Sequence, residues 1–506
     1  DRRFPNIRNC GFAASEYAEV IGMSITNAEN ILKVLSAYNP WWRTGVLPKE
    51  FSRTYRRFAY HEALRHLDHE TIRRSVILTG TRRVGKTTIQ YQIIQSLLTR
   101  GIDPKRIIFV SLDHPLLKMC KLNEILDCYR ENIYGDNDVY YFFDEVQYAT
   151  DWDQWIKILY DTQPLSKVVA TGSASPVLIK KASESGAGRW VILQVPTLSF
   201  YEYCELLEIP ERPQLSAEIR PTALVRLDRR EWNYLFSKLS GLQKHFNRYL
   251  QVGGFPELAL SKDDYLAQRI MREDVVDKVL KRDIPSLYSV RNVNELEKIF
   301  LYLCYYSSNI ISVDAIAKEL VNVSRATVEG YIQYMESANL IYRSYPVDLG
   351  GKKILKARAK IYIADAAIRN AVLMQEDIFT NPDEMGIMAE TAVYKHVAAF
   401  YYQNTTSVGY YRGGKGDKEI DIVVDFPKGR ILIEVKYRKN AAIGPKDAIY
   451  QHTDEAASSI VVTKKEDDYG LQESAGKKKI LRIPAFAFLY LLGNAEKYGY
   501  KGDKFS

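Results

Sequence analysis

Cysteine is scarce in this chain of 506 residues: five in all (Cys10, Cys120, Cys128, Cys204, Cys304), with no CxxC pair and no even framework. That excludes a disulfide scaffold and leaves free thiols in a reducing cytosol as the expectation, so a cytoplasmic location is expected. Long apolar runs are missing too. None approaches the roughly 20 residues that span a bilayer, and no secretory signal opens the chain, so no membrane partner is expected. Charge of one sign is in modest supply: 70 basic against 62 acidic residues give +8, which permits nucleic-acid binding without demanding it. What remains is the balance of a soluble globular protein, too long for one ordinary core, so two to four domains are expected. Asp1 rather than Met stands first, and Met23 is a candidate natural start. The 36 tyrosines suit stacking and packing equally and decide nothing.

The sharpest local signal is Gly80-Thr81-Arg82-Arg83-Val84-Gly85-Lys86-Thr87-Thr88. A short apolar run, Ser75–Thr79, ends directly at Gly80, and a helical pattern follows Thr87 (Ile89, Ile93, Ile94, Leu97, Leu98). Strand, glycine loop and helix are the context of a phosphate-binding loop for ATP. Gly80, Arg83 and Gly85 belong to a loop whose backbone N–H groups curl around the β- and γ-phosphates. Lys86 supplies a point charge to those oxygens, while Thr87, followed by Thr88, places a hydroxyl for Mg²⁺ at the helix N-terminus.

A second apolar run, Val139–Phe143, ends in Asp144-Glu145. Asp144 is expected to hold Mg²⁺ through water and Glu145 to polarise the attacking water, the alternative being a solvated acid pair capping a core strand. Two further strands fit the same sheet: 106–110, and 167–170 running into Thr171-Gly172-Ser173. Ser173, or Thr171, is the candidate for orienting water, against plain turn chemistry. Gly188-Arg189 precedes a fifth strand; Arg189 is either a finger that reaches a neighbouring subunit's γ-phosphate or one half of a surface ion pair.

Together these stretches resemble a family of prokaryotic AAA-type ATPases, abundant in archaea. Pro196–Glu202, Gly253-Gly254-Phe255-Pro256-Glu257, Lys360–Asp365 and 386–390 carry the resemblance onward, over roughly residues 30–490. It implies an α/β chain: an N-terminal extension (1–50), a P-loop AAA-type ATPase core (51–200), a helical lid (201–290), a winged helix (291–365) and a restriction-endonuclease-like domain (366–506). It also implies a 253–256 turn packed near the nucleotide; a homo-oligomer, with a hexameric ring as one candidate form, is expected from Arg189 acting on a neighbour.

The middle segment carries its own pattern. An amphipathic stretch at 311–320, a turn at 321–324 and a longer helix capped by Ser324 form a helix–turn–helix. An apolar run at 340–342 and a basic stretch (Lys352, Lys353, Lys356, Arg358, Lys360) complete the outline of a winged helix, in which Ser324, Arg325 and Thr327 face DNA. A packing module between two domains is the alternative.

Near the C-terminus, Glu419–Val424 and Arg430–Lys436 read as a hairpin with Glu419 and Asp421 on one face and Glu434 and Lys436 on the other strand's face. Asp421 and Glu434 can then converge on one divalent ion with the Val435 carbonyl. Glu390 completes the set from a preceding helix, and Lys436 stands beside the attacking water. This resembles the Asp…Glu-x-Lys pattern of restriction-type nucleases and implies Mg²⁺-assisted phosphodiester hydrolysis, or a DNA-binding module that keeps the fold alone. The expected function is an ATPase working on DNA; the alternatives are a nucleotide-gated assembly switch and a protein-remodelling ATPase.

Overall fold

A computed structural model describes residues 28–173, 188–288, 290–320, 323–347, 357–375, 378–401, 407–413, 419–427 and 429–499. Cys10, Met23, the start of the 321–324 turn and the wing lysines Lys352, Lys353 and Lys356 lie outside the described residues. The chain divides into two units: residues up to 79 with 86–193, and 80–85 with 194 onward. The helical, winged and C-terminal segments, expected as three domains, therefore form one unit.

The first unit is built on five strands: β1 (Ser75–Thr79), β2 (Ile107–Ser111), β3 (Tyr140–Asp144), β4 (Lys167–Gly172) and β5 (Trp190–Gln194). Their order is β2-β3-β4-β1-β5, and the registered pairs β2–β3, β3–β4 and β4–β1 are parallel. Parallel strands covered on both faces read as unbroken apolar runs, which is why 75–79 and 139–143 stand out in the sequence. In this arrangement the ends of β1, β3 and β4 share one edge of the sheet. The β1 end opens into the glycine loop, β3 delivers Asp144 and β4 delivers Thr171 to Ser173.

Of the segment expected as an extension (1–50), the described residues 28–50 belong to this unit. Ile31 and Leu35 of the helix Ala28–Tyr38 join the core. Asn39 pairs with both backbone groups of Phe109, at 2.8 Å from its amide nitrogen and 2.6 Å to its carbonyl oxygen. The indole N–H groups of Trp41 and Trp42 both reach Ile107 O, at 3.0 and 2.7 Å. β2 is an edge strand, and these three side chains satisfy groups that would otherwise invite pairing with another chain. Each buried amide left open instead would cost about 1–3 kcal/mol.

The second unit begins with helices, among them Phe200–Leu206, Arg229–Leu239 and Gln243–Val252, and includes π-helical turns at Met271–Asp277 and Val279–Asp283. The helices Val313–Glu319 and Arg325–Ser337 follow, with Ser324 accepting the N–H of Thr327 as the expected N-cap. Beside them lie β6 (Asn309–Ile310), β7 (Ile341–Ser344) and β8 (Lys360–Ile363), an antiparallel sheet of order β6-β8-β7. The long helix Pro382–Tyr401 then leads into β9 (Ser407–Arg412), β10 (Glu419–Phe426), β11 (Gly429–Lys436), β12 (Ser458–Thr463), β13 (Gly470–Gln472) and β14 (Ile480–Pro484). The order is β13-β14-β12-β11-β10-β9; β10 and β11 pair antiparallel as the expected hairpin, and β11–β12 and β12–β14 are parallel.

Three of the quoted stretches meet at Asp365. One carboxylate oxygen accepts the Thr197 hydroxyl at 2.7 Å and the Gly254 N–H at 3.1 Å; the other accepts the Ala367 N–H at 3.1 Å. The buried Lys395 ammonium, 3.5 Å from Asp365, donates to Leu198 O (2.7 Å) and the Tyr249 hydroxyl (2.6 Å). A Cβ on Gly254 would stand 2.5 Å from Leu198 O, so the glycine pair is dictated by this packing. The turn does approach the glycine loop: the Pro256 ring lies 4.0 Å from where a Cβ on Gly85 would stand.

Candidate functional site

In the first unit, the helix Lys86–Thr99 brings Lys86 and Thr87 to the edge where β3 and β4 end. The Thr87 hydroxyl lies 3.1 and 3.0 Å from the two oxygens of Asp144. The Thr171 hydroxyl donates to Asp144 Oδ1 at 2.5 Å and accepts the Glu145 N–H at 3.0 Å. Burial, and then the charge of Glu145, push the Asp144 carboxyl up to about 7. The Thr171 and Thr87 hydrogen bonds and the Lys86 ammonium oppose that rise without cancelling it. A buried carboxylate beside a threonine hydroxyl, short of positive charge, is the donor set that Mg²⁺ requires, so these residues fit the ion.

Glu145 departs from the strand at φ 55, in the left-handed region. Its carboxylate accepts from the Gln147 amide and, at 3.3 Å, from the Ser173 hydroxyl, which in turn accepts from Gln147 at 3.0 Å. The two candidates for orienting water therefore contact different acids: Thr171 donates to Asp144, and Ser173 to Glu145. Gln147 was missed as a functional residue. Its signal was its place two residues after Glu145, where the chain turns back on the strand end.

In the second unit, the segment Gly80–Gly85 is held by acids of the helical region. Arg82 forms a two-pronged pair with the buried Asp283, one prong at 2.7 Å. Arg83, at φ 60, pairs with Glu257 and, at 2.5 Å, with Asp274. The expected role of Arg83 as a nucleotide contact is thereby qualified: its guanidinium is engaged by carboxylates. Gly80 has no room for a side chain, since a Cβ would meet Val195 O at 2.3 Å.

Arg189 makes a two-pronged surface pair with Asp161, at 2.9 and 3.2 Å. Its carbonyl accepts the N–H of Ser75, the first residue of β1, whereas the glycine loop leaves the last. At a rise of about 3.3 Å per residue that separation is about 13 Å along the strand. Arg189 thus stands at the opposite end of β1 from the glycine loop, paired with Asp161.

The C-terminal candidates do come together, with an unforeseen member. Lys360 Nζ lies 2.8 Å from Glu390, 2.8 Å from Glu419 and 3.2 Å from Asp421. Lys360 is 2% exposed, so it is not a wing lysine facing DNA, which corrects that expectation. Burial opposes its charge, but Glu390 and the other acids outweigh it and hold its pKa well above the ordinary lysine value. The second oxygen of Asp421 accepts the Val435 N–H at 2.8 Å, and Lys436 donates to Glu434. Burial and the Asp421 charge raise Glu390 to about 7 and Glu434 to about 8. A Mg²⁺ ion, expected at Glu390, Asp421 and Glu434, would compete there with Lys360 and Lys436 for the same carboxylates.

The AAA domain family matches residues 72–204. The chain carries a P-loop ATPase domain of the AAA type. Beyond it, two domains of unknown function match: DUF8612 at 243–378 and DUF4143 at 385–486. An uncharacterized protein of Methanocaldococcus jannaschii is 24% identical to this chain over 373 residues, covering 72% of this chain and 75% of the relative. A second from that organism is 24% identical over 417 residues, covering 79% and 84%, and one from Haemophilus influenzae is 22% identical over 302 residues, covering 58% and 68%. Among solved structures, a Walker-type ATPase of Pyrococcus abyssi aligns with 63% of this chain and 96% of its own, at 16% identity and a TM-score of 0.34. The ORC1 protein of Aeropyrum pernix in complex with DNA aligns with 66% and 96%, at 14% identity and a TM-score of 0.29. Among the described residues no helix is long and apolar enough to cross a membrane.

Proposed function

We propose that this chain hydrolyses ATP at the end of β1, β3 and β4 and couples the cycle to work on DNA. The observation that carries the first part is the pair of hydrogen-bonded groups Thr87–Asp144–Thr171 and Glu145–Gln147–Ser173. They separate the two tasks of phosphoryl transfer. Lys86 and the backbone of Gly80–Gly85 bind the phosphates, and Thr87 with Asp144 would hold Mg²⁺. When bound, Mg²⁺ neutralises charge on the β- and γ-oxygens. Glu145 accepts a proton from the attacking water while Ser173 and Gln147 fix its carboxylate. Arg189 acts on a neighbouring subunit in a homo-oligomeric ring.

The DNA part rests on the segment from 309 to 363. Two helices and a three-stranded antiparallel sheet have the make-up of a winged helix, and Ser324 and Arg325 stand exposed at the start of the second helix. A polar groove of about 490 Å³ beside that helix is lined in part by Arg291, Asn292, Thr327 and Tyr331. One basic group, one amide, a hydroxyl and aromatics beside an exposed helix N-terminus suit a phosphate backbone, with Glu295 as the acid that opposes it. The C-terminal unit is then a binding module.

One observation favours a second reading. Arg82 and Arg83, inside the phosphate loop, are tied to Asp283, Asp274 and Glu257. Phosphate oxygens compete with those carboxylates for the same guanidinium groups, as a nucleotide-gated switch requires. The deciding experiment measures ATP turnover with and without single-stranded, duplex and branched DNA, following particle size with nucleotide. Stimulation by DNA supports the first reading; turnover indifferent to DNA, with assembly that tracks ATP, supports the second.

A further inference from the structure

The cluster around Lys360 bears on what the C-terminal sheet can do, independently of the ATPase reading. Four acids converge from three elements: Glu390 from the helix Pro382–Tyr401, Glu419 and Asp421 from β10, and Glu434 from β11. A divalent ion held there needs several carboxylate oxygens free at once. Both oxygens of Asp421 and one oxygen each of Glu390, Glu419 and Glu434 are already engaged. The ammonium of Lys360 has three N–H donors, and three carboxylates stand within 3.2 Å of it. Asp421 spends its other oxygen on the Val435 N–H at 2.8 Å, and Glu434 gives Oε1 to Lys436. Glu434 Oε2 is buried without a hydrogen-bond partner, and Asp421, the acid central to an Asp…Glu-x-Lys metal site, has neither oxygen to spare for an ion.

We infer that Lys360 is the resident cation of this site, its ammonium standing where a divalent ion would stand in a nuclease of the Asp…Glu-x-Lys pattern. The lysine is tethered. It opens β8, the central strand of the three-stranded sheet, so its charge arrives by folding rather than by binding from solution. An ion entering the cluster would have to expel a nearly fully buried ammonium from its three partners, and an unpaired buried charge is far costlier than a paired one. The acids therefore serve as an anchor: they fix β8, and with it the winged segment, to β10 and the long helix. The module binds through this joint and does not cut by a metal-dependent step.

The test uses the full chain without nucleotide and Mn²⁺ alone as the probe, titrated by calorimetry. Wild type is compared with Asp421→Asn and Glu434→Gln, and with Lys360→Ala alone and combined with Asp421→Asn. Expected is no Mn²⁺ site in wild type that either acid substitution removes, and a new site in Lys360→Ala, at least about tenfold tighter than any wild-type binding, that Asp421→Asn abolishes. A wild-type site lost in Asp421→Asn or Glu434→Gln overturns the inference. So does a folded Lys360→Ala chain that gains no site. Should Lys360→Ala not fold, the comparison of wild type with the two acid variants decides alone.

Discussion

The Thr171 hydroxyl donates to Asp144 at 2.5 Å while accepting the N–H of Glu145 at 3.0 Å, so one β4 side chain fixes both acids at the end of β3. Glu145 sits at φ 55, a conformation that needs such support. Thr171→Val keeps the shape and removes both hydrogen bonds. It is expected to lower kcat for ATP by about tenfold or more while the Kd for ATP changes little. Steady-state turnover paired with nucleotide binding checks this; a loss confined to binding would show that Thr171 acts on the nucleotide instead.

Gln147 holds Glu145 and Ser173 together. Gln147→Leu is expected to lower kcat with KM nearly unchanged, and Ser173→Ala to do so more weakly because the Gln147–Glu145 bond survives. Combining them should cost less than the product of the single effects, since the residues act as one unit. Strictly multiplicative losses in the measured kcat values would contradict the shared role.

Arg189 and Lys86 supply a test of action between subunits. Arg189→Ala and Lys86→Ala are each expected to lack turnover alone. Mixed and allowed to reassemble, they should regain part of it, because an intact phosphate site can then face an intact arginine. Continued silence in a mixture shown to co-assemble would confine Arg189 to its pair with Asp161.

Acid stability follows from His396. Its Nε2 accepts the Phe200 N–H at 2.8 Å and its Nδ1 lies 2.6 Å from Ala392 O, so the folded chain needs the neutral ring. Burial, and then the neighbouring Lys395, hold its pKa well below the ordinary histidine value; the Tyr249 hydroxyl is the other titratable group facing it, at 3.5 Å. The unfolded chain takes up that proton near pH 6.5 and the folded chain does not. Stability from this group is thus complete above about pH 6.5 and falls by up to about 1.4 kcal/mol per pH unit below it. Across thermal melts from pH 7.5 to 5.5, wild type should lose stability relative to His396→Gln, the carboxyls that titrate in the same range being common to both; a difference between the two that stays constant with pH would show that His396 is not the acid-sensitive group.

The sequence made some of this legible and hid the rest for physical reasons. Gly80–Thr87, Asp144-Glu145 and Ser173 lie where buried strands stop, and a parallel strand announces its end by an abrupt change from apolar to polar. The hairpin at 419–436 was readable because its alternation is local. Lys360 was not. In sequence it belongs to a basic run, and its partners Glu390, Glu419 and Asp421 come 30 to 61 residues later. Asn39, Trp41 and Trp42 were hidden likewise, since nothing in an N-terminal segment announces that it will close an edge strand about 70 residues on. Arg83 was placed in the right loop, but loop chemistry alone could not foresee the acids at 257 and 274.

The most direct measurement of the central claim is ATP turnover and ATP retention by Glu145→Gln, beside wild type and Lys86→Ala. If Glu145 activates the attacking water, its amide form binds ATP as wild type does and turns it over at least about 100-fold more slowly. Lys86→Ala should lose turnover through loss of binding. Turnover by Glu145→Gln within about twofold of wild type would contradict the assignment of the site.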